Sequence, residues 1–449
     1  MEYQISGGTQ DHLLESLDFT LSKTANYVTS RRMVSYYTSG AGTFSSPSGV
    51  RVIRINLTGL GDCWLDPTTV RLQFTIHNVD TRDKYVLESF SGPHCFFDRV
   101  RLLAQGTVIE DVQQYHRTHE MLMEQLTPRL HRIGEGIEGF GTSITDSLLG
   151  AAGDQSLDPA IAVIPAGKKL TVLMRPCLGF ILGCQKVIPL HHCPITFEFY
   201  LADPAETFQS GSYEIDVDGT KTKFERTNKY YLTNIQIKCD VMHLDSRVEN
   251  SYASIMQSGK ALTFSHPVYH TQYQAIPGDR PVIALTRALS RLRGLFVTFA
   301  AANSPVATTF DYPKQSGDDQ PDRQRWDRPL SMMVQLGSKK FPEQPIASTA
   351  EFYEHLRKAL HIHNNIYADL SLDLRQYEDN KFIIGVTTEK VLGSQAAFSG
   401  LNTKTGDQLI LTFTGMYDGG PDQTVHMVYA THVADQVVTL TESGIGVYD

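Results

Sequence analysis

Residues 96–126 read FFDRVRLLAQGTVIEDVQQYHRTHEMLMEQL and combine two kinds of local order. Phe96 to Leu103 is dense in aromatic and branched side chains, the composition of a strand. Ala104-Gln105-Gly106 supplies turn residues. Beyond it Asp111 stands three positions before Gln114, the spacing of an N-terminal cap, and Val112, Tyr115, His119, Leu122 and Leu126 recur at helical intervals. The stretch therefore predicts a strand, a turn and a helix over 111–126.

The second half of the chain repeats this plan. A candidate strand at 330–336 is followed by STAEFYEHLRKAL at 348–360, where Ser348 and Glu351 have capping-box spacing and Phe352, Leu356, Ala359 and Leu360 form one stripe. Each half thus carries one helix in a background of short strands. In the first half these are 50–57, 69–79, 96–103, 169–174, 194–201 and 230–244. In the second they are 261–264, 282–284, 292–300, 330–336, 380–387, 408–414, 424–430 and 436–440. Alternation is clearest in TVRLQFTIH, where Val70, Leu72, Phe74 and Ile76 point to one face.

Long Gly/Pro-rich connections between short strands favour sandwiches with crossed connections, because meanders use tight two-residue hairpins. The expected fold class is all-β: two consecutive jelly-roll sandwiches, each with an inserted helix. An amphipathic stretch at 11–28, followed by a Gly/Ser-rich link ending at Gly49, reads as an arm. The expected organisation is an arm at 1–44, a first domain at 45–250 and a second at 251–449. The connections 127–167 and 301–328 are too long for ordinary structureless loops and are expected to be functional surface, a partner contact or disordered.

Two domains also suit the length of 449 residues, since one hydrophobic core stops growing near ~250. The hydrophobic fraction of 41% and charged fraction of 20% are those of a folded chain. A net charge of −9 argues against a surface that coats nucleic acid, which needs concentrated Lys and Arg. The basic pair Arg31-Arg32 reads as a solvated turn. The start of the chain lacks a basic, apolar leader, and no apolar run reaches membrane-spanning length. The 6 cysteines, Cys63, Cys95, Cys177, Cys184, Cys193 and Cys239, form no C-x-x-C pair and are expected as buried thiols.

Motifs for chemistry are weak. Cys184, His191, His192 and Cys193 have metal-ligand side chains, but their spacing matches no common zinc knuckle. His116 and His119 lie in a helical pattern without a His-Glu-x-x-His motif; His361 and His363 follow a helix rather than lying on the strands a cupin site requires. Gly59-x-Gly61 lacks the rest of a dinucleotide fingerprint, and no Walker or Gly-x-Ser-x-Gly motif occurs. Asp318-Asp319 reads as solvated loop. The expectation is no enzyme activity, with no catalytic residues, no bound metal and no cofactor.

The stretch from Phe96, PITFEFYLADPAE from Pro194, YYLTNIQIKCDVMHLDSRV from Tyr230, TRALSRLRGLFVTF from Thr286, VQLGSKKFPEQPIASTAEFYEHLRKAL from Val334 and AFSGLNTKTGDQLILTF from Ala397 together resemble the double jelly-roll major capsid proteins. The likeness is nearest to those of Polinton-like viruses, adintoviruses and virophages. It runs through almost the whole chain in the family's order, although the chain is short for that group. The resemblance implies a homotrimer of pseudo-hexameric outline, a capsomer in an icosahedral shell around double-stranded DNA, located in the virion. It also implies neighbouring capsomers, penton and minor capsid proteins as partners, no sequence-specific nucleic-acid binding, and leaves contact with an internal membrane open. Rival readings are a minor capsid protein, disfavoured because penton proteins usually carry one jelly roll, and a carbohydrate- or receptor-binding sandwich. The latter would use exposed aromatics, for which Trp64, Trp326 and Tyr312 are the candidates.

Overall fold

The computed structural model describes residues 27–126, 163–301, 309–313, 330–363, 374–378, 381–390, 399–404, 408–416 and 426–449, apart from isolated positions, together with 370 and 372. The 127–162 and 314–329 connections and most of the 1–44 segment lie outside the described residues.

In the first half, strands Ile188–Pro189, Cys63–Leu65, Tyr230–Leu244, Arg71–Asn78 and Lys169–Met174 lie in that spatial order. They face a second sheet of Val52–Leu57, Ile195–Leu201, Phe97–Ala104 and Thr107–Gln113. Neighbours in space are distant in sequence, the crossed connectivity that long loops allow. Alternation builds the core: Leu72, Phe74 and Ile76 point inward from one sheet, and Phe197 and Phe199 from the other, all fully buried. Phe74 meets Phe96 and Phe97 edge-on, with centroids 5.7 and 5.6 Å apart. A smaller sheet of Ser212–Val217, Thr220–Arg226, Tyr85–Glu88 and Val163–Pro165 extends from this sandwich.

The second half repeats the arrangement. Leu262–Ile276, His426–Thr441, Leu292–Ala301 and Ile383–Thr387 form one sheet, with Gly444–Tyr448 paired to His426–Thr441. Val282–Leu285, Leu409–Thr414, Ser331–Leu336 and Lys339–Ile346 form the other. The hairpins Phe97–Ala104/Thr107–Gln113 and Ser331–Leu336/Lys339–Ile346 occupy equivalent edge positions, and each leads into a helix.

Three local readings are corrected. Asp111 is no helix cap: the hairpin strand continues through Gln113, the helix spans Tyr115–His119, and a π-helical turn follows at Glu120–Gln125. Asp111 instead holds Arg99 across the hairpin, at 2.7 Å from Nε, while Gln105 and Gly106 take the positive φ values of 49° and 83° that a tight hairpin turn demands. Arg31-Arg32 is no turn either. It lies in strand Val28–Tyr37, paired along Tyr230–Leu244, with Arg31 bridging Asp240 and Asp66 at 2.8 and 3.1 Å. The segments at 424–430 and 436–440 are one strand, His426–Thr441, running unbroken opposite Leu262–Ile276. The second helix, Thr349–Ala359, begins as the sequence reads, with Ser348 Oγ accepting from the backbone N–H of Glu351. Tyr115, Phe352 and Leu356 are fully buried, whereas Leu122 is half-buried.

Candidate functional site: the seam between the sandwiches

Two apolar cores form, but they exchange members. Phe264, Val438 and Leu440 from the second half complete the first core, and Met121 from the first half joins the second. The seam is built by the helix that follows the first hairpin, all five residues of which are buried.

Arg117 leaves this helix and enters the second sandwich. Its Nη2 donates to the carbonyl oxygens of Phe299 and Thr309 at 2.7 and 2.9 Å, and its Nε to Thr298 Oγ1 at 3.3 Å. The guanidinium also lies over the rings of Tyr429 and Phe310, 4.2 and 4.8 Å from their centroids. Burial lowers its pKa to about 10, so it stays protonated at neutral pH. Beside it, Thr118, Thr271 and Thr431 form a hydroxyl chain with 2.9 and 3.0 Å spacings.

Glu110 supplies the second link. Its carboxylate accepts from the backbone N–H groups of Gly179 and Phe180 at 2.8 and 3.1 Å, fixing the short helix Gly179–Gly183. Burial pushes this carboxyl up to about 7, against the lowering effect of those N–H groups. The helix presses on strand Leu262–Ile276 so closely that a Cβ on Gly179 would stand 1.8 Å from the Pro267 carbonyl oxygen, and one on Gly183 would stand 2.3 Å from Pro267 Cδ. Only glycine permits this approach.

Between the sandwiches, a polar cavity of about 330 Å³ is lined by Asp111 and Gln113 from the first hairpin and by His270, Gln272, Arg287 and His432 from the second sandwich. The Nε2 atoms of His266, His270 and His432 are buried without a partner. Burial lowers the pKa of each ring to about 4, so all three are neutral near pH 7.

The residues that sequence motifs singled out are dispersed. His191 pairs with Glu249 at 3.0 Å, and Trp64 Nε1 donates to the same carboxylate at 2.7 Å. Cys184 instead donates its thiol to the Lys186 carbonyl, and burial pushes the Cys193 thiol up to about 12. All 6 cysteines are free and buried. His361 meets Glu389 at 3.3 Å. Trp64 is buried, Tyr312 packs edge-on against Phe382, and Trp326 and Asp318-Asp319 lie outside the described residues. Among the described residues, ligand atoms converge within 4.8 Å in His94–His119–Glu124, His191–His192–Glu249 and Asp98–His116–Glu206. Sequence spacing could not reveal the first or third, because their members come from different elements.

No family model and no curated protein matches this sequence. Solved structures do match. PBCV-1 VP54, as fitted into a reconstruction of the virophage Sputnik, is 10% identical with a TM-score of 0.59, over 96% of this chain and 98% of that one. The Faustovirus major capsid protein is 10% identical with a TM-score of 0.60, over 94% and 92%. A chain of the Sputnik virophage particle is 11% identical with a TM-score of 0.57, over 98% and 92%. The fold is a double jelly roll. At these identities the likeness is one of fold. Because 92–98% of the neighbours' chains is covered, the expectation of a chain short for its group is not met against these three. Within the double jelly roll, Arg117 and the Thr118–Thr271 hydroxyl pair tie one sandwich to the other, and Glu110 fixes the short first-half helix that packs against the second.

Proposed function

We propose that this chain is the major capsid protein of an icosahedral double-stranded DNA virus, forming trimeric, pseudo-hexameric capsomers. The observation that carries the reading is the likeness of both sandwiches, in order and over 94–98% of the chain, to viral capsid proteins. The physics supports it. Three chains with two similar sandwiches each offer six nearly equivalent sides, as a hexagonal lattice position needs. That geometry requires the two sandwiches of a chain to move as one body, and the seam supplies the rigidity.

In this reading the chain divides into an arm at 1–44, whose strand Val28–Tyr37 pairs into the first sandwich, a first jelly roll at 45–250 and a second at 251–449. It resides in the virion shell, catalyses no reaction, and contacts its own copies, neighbouring capsomers, and penton and minor capsid proteins. Mass photometry of the purified protein is expected to give a trimer, and electron microscopy of assemblies to give hexagonal capsomers. A stable monomer at micromolar concentration with no hexagonal assemblies would overturn the proposal.

A further inference from the structure

The sequence expectation of no bound metal rested on Cys184, His191, His192 and Cys193, and the fold draws a different set together. We propose that His94, His119 and Glu124 form a buried binding site for a divalent transition-metal ion, zinc by preference, that pins the seam helix to the first sandwich.

One nitrogen of each imidazole and one carboxylate oxygen of Glu124 lie within 4.8 Å of one another. His94, His119 and Glu124 are 0%, 7% and 8% exposed, so the site is closed to bulk water. Both ring nitrogens needed for ligation are free: the Nδ1 atoms of His94 and His119 are buried without a hydrogen-bond partner. A buried imidazole nitrogen without a partner is costly, and a metal ion is one of the few groups that relieves two at once. The opposite edges of the rings are already oriented. His94 Nε2 donates to Glu120 at 2.8 Å, and His119 Nε2 lies 3.4 Å from the Arg175 carbonyl oxygen. Gln125 Nε2 in turn donates to Glu120 at 2.6 Å. A carboxylate that holds the outer N–H of a histidine, with the inner nitrogen left bare, is the usual support of a metal-ligating imidazole.

The backbone contributes as well. Glu124 lies on the π-helical turn Glu120–Gln125, a distortion frequent at ligand sites. The two rings stack with centroids 4.3 Å apart. Tetrahedral zinc with bonds of about 2.0–2.1 Å brings its ligand atoms to about 3.3 Å, so binding requires the three groups to draw together, the two rings to turn out of their parallel stack, and a water to take the fourth position. Two imidazoles and a carboxylate suit zinc better than magnesium or calcium, which take oxygen donors. Gly92 borders the site, and a Cβ there would stand 3.0 Å from His94 Nδ1 and 4.0 Å from Glu124 Oε1. The ion would tie the turn Pro93–Phe96, which leads into the first hairpin, to the helical segment that carries Arg117. This inference does not depend on the capsid reading.

The test uses the full chain. Elemental analysis after purification in zinc-containing medium is expected to give about one zinc per chain, and cobalt(II) added to chelator-treated protein to give the visible absorption of a four-coordinate site at about one equivalent. His119→Gln and Glu124→Gln should each abolish that absorption, and Gly92→Ala, which keeps every ligand, should weaken cobalt binding at least about tenfold by filling the site. His192→Ala should leave it intact. Folded wild-type protein that neither retains zinc nor develops the cobalt spectrum would overturn the proposal, even if the ligand variants fail to fold. Loss of metal in His192→Ala, with retention in Glu124→Gln, would place the ion at the His191–His192–Glu249 group and overturn it too.

Discussion

Arg117 donates to the carbonyl oxygen of Phe299 at 2.7 Å although 182 residues separate them, and this bond joins one jelly roll to the other. The same guanidinium satisfies three acceptors and covers two aromatic faces, so it acts as a rivet. Arg117→Met is expected to destabilise the protein by about 2–4 kcal/mol, because the acceptors are left buried and unpaired. Arg117→Lys should not rescue it, since an ammonium lacks the planar fork. Urea unfolding followed separately by the two sandwiches' fluorescence would check this, with uncoupled transitions as the expected signature.

Gly179→Ala tests the closeness of the seam. The added methyl would overlap the Pro267 carbonyl oxygen at 1.8 Å, and a backbone cannot yield as a flexible side chain does. A loss of about 3 kcal/mol or more is expected, at the upper end of overpacking costs. Thermal denaturation measures it, and a loss below about 1 kcal/mol would contradict the packing.

Leu356→Ala probes the second helix. Leu356 is fully buried, and Gly385 leaves its Cδ1 only 2.9 Å from a notional Cβ. The truncation should cost about 2–5 kcal/mol, read as a lowered denaturation midpoint. Gly385→Ala should destabilise as well, by crowding rather than by a cavity.

Acidification should loosen the seam. His266, His270 and His432 have pKa values lowered from 6.5 to about 4, by burial first and, for His270 and His432, by Arg287 next, while Asp449 opposes this at His266 and His270. The neutral rings contribute stability that is present above pH 6.5 and is lost as the pH falls toward 4. Glu110 has the opposite sign: its value is raised from 4.5 to about 7, so its contribution is full below pH 4.5 and fades as the pH rises through 7. Three histidines outweigh one carboxyl, and the thermal midpoint should fall between pH 6.5 and 4. His270→Gln should flatten that slope.

Much of the β framework was legible in the sequence because half-buried strands write a period of two. TVRLQFTIH gave its buried face directly, with Leu72, Phe74 and Ile76 all inward, and Ser348 with Glu351 marked the start of the second helix. The reading failed where tertiary contacts override local pattern. Asp111 has the spacing of a cap, yet its carboxylate is committed to Arg99 across the hairpin. The polar stretch Thr431-His432 interrupts an apolar pattern, but the seam buries it against Thr271 and His270, so one strand runs where two were expected.

By itself the sequence determined the all-β class, the doubled strand-to-helix plan and the inward residues of its clearest strand and of the second helix, Leu72, Phe74, Ile76, Phe352 and Leu356, since these follow from periodicities of two and 3.6 that each segment carries alone. Only the tertiary structure decided which polar residues matter. Arg117, Glu110, Gly179 and the histidines His94 and His119 have no distinguishing neighbours in the chain. Their roles arise from groups that folding brings from other strands and helices: carbonyls of Phe299 and Thr309, the Pro267 backbone, and the carboxylates of Glu120 and Glu124. Burial then fixes the energetic stakes, because a polar atom removed from water depends wholly on the partner that the fold supplies.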